Sequence, residues 1–134
     1  MVCLDTSIII DILREKVNLD QLELNLAENE IAKIPSPAII EIILGLHLNS
    51  NILNIYKNER EKIDKLLSSF PILDLDKESA ILAGEIEANL INMGNIIDIE
   101  DIMIGAIALH NNEKLITRNK KHFERIKGLE IEGY

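Results

Sequence analysis

Short apolar runs alternate along this chain with helix-length segments, and that order leaves few folds open. Residues 1–5 read as a buried strand around Val2-Cys3-Leu4, and residues 6–14 as a helix. Helical Leu spacing marks residues 19–29, and residues 30–34 read as a second strand. Ser36-Pro37 is a helix start, with Ser as N-cap and Pro at the first helical position, and the helix runs to about residue 48. Residues 51–69 repeat apolar side chains at helical spacing, and residues 71–75 form a third strand. Asp76 caps a helix that continues to about Met93 and stops at Gly94. Residues 98–111 make another helix, 114–117 a fourth strand, 120–126 a short helix and 129–132 a last strand.

Strands that alternate with helices predict an α/β fold: a parallel sheet of about five strands, joined by right-handed crossovers, with helices on both faces. Apolar runs without polar alternation fit strands covered on both sides. At 134 residues the expectation is a single domain, 1–134. A domain of about 150 residues buries roughly 70% of its unfolded surface, enough for a real core. Aromatics are only 3%, so that core is aliphatic. In such sheets a site forms at the carboxyl ends of the strands.

Four residues interrupt this apolar pattern near corners of the chain. Asp5 ends the first strand, and Glu41 is the only charge in residues 37–44. Asp101 opens the apolar helix body, and Asn119 follows the fourth strand. Isolated carboxylates in apolar segments are costly to bury unless paired, protonated or bound to a cation. Several together point to one site for a divalent cation. Each residue also has a plainer use. Asp5, Asp98 and Asn119 stand where helix caps stand, and Glu41 where a surface helix residue would be. Asp98 and Asp101 are three apart and share a helix face, so one can cap while the other binds. Glu100 is expected to point to solvent. Asp11, Asp74 and Asp76 are set aside, with Asp11 placed beyond the site.

The formal net charge is −9, which argues against non-specific wrapping of nucleic acid. The cations are gathered locally: Arg118, Lys120, Lys121, Arg125 and Lys127 follow the fourth strand. They would set cations at the mouth of an acidic site, or form a solvated helix face. Arg14 adds a candidate contact from the end of the first helix. His47, His110 and His122 are too scattered for a zinc site, and His122 reads as a surface residue. The lone Cys3 reads as buried filler. No signal peptide or run of about 18 apolar residues is present, so a cytoplasmic, soluble protein is expected.

Four segments carry a family resemblance. The opening Cys-Leu-Asp-Thr-Ser-Ile-Ile-Ile-Asp, the Ser-Pro-Ala-Ile-Ile-Glu-Ile-Ile-Leu-Gly of residues 36–45, the helix at residues 101–108 and the Thr-Arg-Asn-Lys-Lys-His-Phe of residues 117–123 together resemble a PIN domain. Within that group they resemble the VapC ribonuclease toxins. The resemblance implies a PIN-like fold and an Mg²⁺- or Mn²⁺-dependent endoribonuclease leaving 5′-phosphate and 3′-hydroxyl ends. It places the catalytic set on Asp5, Glu41, Asp101 and Asn119. The metal ligands would be Asp5, Glu41 and Asp101, with Asp98 as an outer-shell acid or second-metal ligand. Thr6 and Thr117 are candidates to orient ligands or waters, and Arg118, Lys120, Lys121 and Arg14 to bind RNA. The resemblance also implies a homodimer and a small VapB-like antitoxin partner. Two other classes stay open at the level of sequence. One is a phosphoryl-transfer protein of receiver or aspartate-phosphatase type, although Ser7 stands where such phosphatases want a second Asp. The other is a PIN module that binds RNA or protein without catalysis.

Overall fold

The computed structural model describes residues 1–18, 20, 30–49 and 53–134. The predicted helix at residues 19–29, and the first residues of the one at 51–69, lie outside the described residues. The remainder folds as an α/β domain. Its strands are β1 (Val2–Leu4), β2 (Ala32–Pro35), β3 (Ile72–Leu73), β4 (Lys114–Ile116) and β5 (Ile131–Glu132). They form one sheet in the order β3-β2-β1-β4-β5, and every neighbouring pair is parallel. Six helices are described: α1 (Thr6–Leu13), α2 (Ser36–Asn49), α3 (Leu53–Ser69), α4 (Lys77–Asn92), α5 (Ile99–His110) and α6 (Lys120–Phe123).

β1 is the central strand, and Val2, Cys3 and Leu4 are all 0% exposed. Successive strand residues face opposite sides of a sheet, so both faces over β1 are covered. Burial pushes the Cys3 thiol pKa far up, with the Glu113 and Asp5 charges adding to it; this side chain is inert filler. Lys33 of β2 and Glu113, just before β4, reach across β1 with Nζ and Oε1 2.8 Å apart. That ion pair closes the end of the sheet opposite the strand carboxyl ends.

The predicted strands shorten at their ends. The second runs Ala32–Pro35 instead of 30–34, because Ala32 and Cys3's partner Lys33 set its register against β1. The third keeps only Ile72 and Leu73, whose partners are Ile34 and Pro35. Asp76 caps α4 through a 2.8 Å bond from the Ser79 N–H to its carboxylate. α4 ends before Gly94, which takes φ 72°, a left-handed conformation that costs glycine little.

One close approach positions the site. A Cβ on Gly105 of α5 would lie 2.5 Å from Ile126 Cδ1 and 3.7 Å from Phe123 Cδ1. Phe123 and Ile126 are buried, so glycine lets α6 dock against α5. Gly105 is one helical turn after Asp101. The docking therefore brings residues of α6 beside that acid.

Candidate active site

Chain direction decides where the acids meet. β1, β2 and β4 are parallel, so Asp5, the start of α2 and Thr117 share the carboxyl end of the sheet. α5 returns against the strands into β4, which puts its first turn, with Asp101, at the same end.

Asp5 is 2% exposed. It stands at the N-cap of α1 but makes no side-chain capping bond. Its Oδ2 instead accepts from Thr117 Oγ1 at 2.7 Å and from Ser7 Oγ at 3.0 Å. Those hydroxyls are themselves oriented, since the Asn119 N–H donates to Thr117 Oγ1 (2.9 Å) and the Arg118 N–H to Ser7 Oγ (3.2 Å). A hydroxyl that accepts from a backbone N–H is free to aim its own proton at the carboxylate. Two relays thus converge on one oxygen, and Oδ1 takes no hydrogen bond among the described residues. Ser7 was not singled out in the sequence beyond its failure to be an aspartate. Its position two residues after Asp5, in the first turn of α1, is the signal that would have found it.

Glu41 lies in the second turn of α2, half-buried among isoleucines. Thr6 Oγ1 donates to its Oε1 at 3.0 Å, tying α1 to α2. Burial pushes its pKa up to about 7; the Thr6 hydrogen bond opposes this, and the Asp101, Asp5 and Glu100 charges reinforce it. Asp101 is raised too, first by burial and then by Asp5, with His122 opposing and Asp98 adding. The three acids therefore share one electrostatic neighbourhood. Glu100 does not stand apart in solvent as the sequence suggests: it is half-buried, and its charge acts on Glu41.

His122 is exposed, as the sequence suggests, yet it reaches an acid of the site. Its Nδ1 sits 3.3 Å from Asp101 Oδ2, because α6 docks on α5 at Gly105. Asp98, at the N-cap of α5, and Asn119, at the N-cap of α6, make no side-chain capping bonds, and both are exposed. Lys120, Lys121 and Arg14 are exposed as well. Arg118 is not a free cation: its Nη1 donates to Asp11 Oδ2 at 2.7 Å. Asp11 stands in the second turn of α1, as the sequence suggests, but the Arg118 side chain ties it to the turn after β4.

Among the described residues no three His, Cys, Asp or Glu side chains converge into a ready cation cage. Glu41 is held by Thr6, and Asp101 faces His122. The donor set nonetheless suits a hard cation. It offers one oxygen of a rigid carboxylate and two acids, Glu41 and Asp101, whose pKa values burial and the Asp5 charge both raise.

The comparisons with known proteins agree with this geometry. Residues 2–129 match the PIN domain family. The chain belongs to the PIN domain family. Ribonuclease VapC1 of Methanocaldococcus jannaschii is 34% identical over 134 residues, covering 97% of this chain and 85% of the relative. The tRNA(fMet)-specific endonuclease VapC of Shigella flexneri is 28% identical over 131 residues, covering 98% and 96%. Among solved structures, VapBC2 from Rickettsia felis bound to a DNA fragment from its promoter superposes with a TM-score of 0.88 at 28% identity, covering 100% of this chain and 99% of that one. A PIN domain in this setting replaces the receiver and aspartate-phosphatase readings. In this PIN domain Ser7 serves Asp5 as a hydrogen-bond donor.

Proposed function

We propose that this chain is a divalent-metal-dependent endoribonuclease and the toxin of a VapBC-type toxin–antitoxin pair. One observation carries the reading. Asp5 is locked by two hydroxyls on Oδ2, with Oδ1 unengaged, beside Glu41 and Asp101 at the carboxyl end of a PIN-domain sheet.

Asp5 Oδ1, Glu41 and Asp101 would hold Mg²⁺ or Mn²⁺, with Asp98 at the rim as an outer acid and the Asn119 amide as a holder of water. Such an ion supplies charge neutralisation at the phosphate and eases deprotonation of water. The residues of the chain do the rest. Thr117 and Ser7 fix the orientation of Asp5, and Thr6 fixes that of Glu41. Without a cation the Glu41 carboxyl is pushed up to about 7, and a bound cation would hold it as the carboxylate. Lys120, Lys121, Arg14 and the open edge of Arg118 meet the RNA backbone. A small VapB-like antitoxin would cover this acidic, cation-rimmed end.

The partner of a second surface is another copy of the chain. Ile40, Leu44 and Leu48 recur every four residues along α2 and are 58%, 55% and 69% exposed, which supports a homodimer through that face. Among the described residues no helix is long and apolar enough to cross a membrane.

The deciding experiment is cleavage of single-stranded and transfer RNA in Mg²⁺ or Mn²⁺. Wild type cuts, whereas excess EDTA or Asp5→Asn stops it. Activity that survives both removes the mechanism. RNA binding without any turnover in Mn²⁺ favours the non-catalytic module instead.

A further inference from the structure

The turn after β4 holds an arrangement that the catalytic acids do not use. Asp11 of α1 is 3% exposed, an unusual place for a carboxylate. Its Oδ2 accepts from Arg118 Nη1 at 2.7 Å and from the Tyr134 hydroxyl at 2.7 Å. Its Oδ1 is buried without a partner. The Arg118 side chain, by contrast, is 53% exposed. We infer that Asp11 and Tyr134 are positioning residues that hold the Arg118 guanidinium ready for an RNA phosphate.

The reasoning runs from geometry to chemistry. A guanidinium is a planar fork with five donors, so anchoring one nitrogen leaves an open edge that suits a phosphate. A long exposed cation normally loses freedom when it binds, and an anchor removes part of that cost beforehand. The anchor here is fixed from two sides. Burial raises the Asp11 pKa, but the Tyr134 hydrogen bond and the Arg118 charge outweigh it and hold the carboxyl below its usual range. Asp11 in turn helps push the Tyr134 hydroxyl up to about 12, after burial, so the phenol stays a donor. The backbone of Arg118 is tied as well, through its N–H on Ser7 Oγ, and Ser7 donates to Asp5. The cation is thus registered against the acid at the centre of the site. Lys120 and Lys121, exposed on α6, have no buried acid behind them among the described contacts. The inference rests on the ribonuclease reading and names a support for its substrate grip.

The experiment compares wild type with Arg118→Ala, Tyr134→Phe and the double variant. kcat and KM for a single-stranded RNA are measured in Mn²⁺ at several salt concentrations, alongside melting temperatures. Arg118→Ala should raise KM about tenfold and lower the salt slope by about 0.7, the share of one phosphate contact on a single strand. Tyr134→Phe keeps the ring but loses the bond to Asp11. It should raise KM about threefold with kcat held, and add nothing once Arg118 is gone. If Tyr134→Phe melts below the assay temperature, Asp11→Asn is read by the same criteria. An unchanged KM in Tyr134→Phe, or effects that multiply in the double variant, overturns the inference while the ribonuclease reading stands. A wild type that cleaves no RNA overturns that reading, and this inference with it.

Discussion

Glu41→Gln should make the metal-free protein more stable at pH 8, and the size of the gain follows from the site. Burial and neighbouring acids raise the Glu41 pKa from 4.5 to about 7 in the folded chain. At about 1.4 kcal/mol per unit, that shift has a ceiling of about 3 kcal/mol. The side chain is only half-buried, and solvent screening brings the expectation to about 1–2 kcal/mol. The sign follows from proton counts. Between pH 4.5 and 7 the folded state keeps a proton that the unfolded chain has released, so stability falls as pH rises across this window. Below it both states are protonated and the penalty is absent; above it the full penalty remains. Glutamine keeps an oxygen for the Thr6 hydroxyl and carries no charge, so its variant lacks this slope. The assay is thermal or urea unfolding in EDTA from pH 4 to 9. The variant should melt about 3–8 °C above wild type at pH 8 and converge with it near pH 4. Millimolar Mn²⁺ should reverse the order, by stabilising wild type more. A variant no more stable than wild type at pH 8 in EDTA would refute the argument that these acids strain one another.

Lys33→Ala should cost about 2–4 kcal/mol, since it strands Glu113, whose side chain is 2% exposed and whose Oε2 already lacks a partner. Replacing both members by Met and Leu should recover most of that loss in urea unfolding. Gly105→Val should cost about 2–3 kcal/mol, because even a Cβ meets Ile126 Cδ1 at 2.5 Å. The same change should separate His122 from Asp101, visible as altered chemical shifts of the His122 ring by NMR.

The sequence made the α/β order, the parallel sheet and the acids legible, because each follows from local pattern. Apolar runs, the Ser36-Pro37 start and the Asp76 cap are written in neighbouring residues. What stayed hidden depends on pairs far apart in the chain. Asp11 looked remote because helical spacing carries it away from Asp5, and only the fold of residues 117–134 returns Arg118 and Tyr134 to it. His122 looked superficial because nothing near it in sequence names Gly105 as the notch that seats its helix. Glu100 looked solvated because a helix wheel knows nothing of α2. Strand ends shortened where partner strands, not composition, decide how far a ladder extends.

The placement of β1 in the middle of the sheet also governs when the enzyme comes into being. Val2 is hydrogen-bonded in register with Lys114, and Asp5 is gripped by Thr117 across 112 residues of sequence. Contacts this distant form late and slowly, because loop closure precedes any reward. Asp5 and the hydroxyl that aims it therefore leave the ribosome far apart in time. Until residue 117 has joined the sheet, Asp5 is without that partner, and the geometry of this end arrives as a unit.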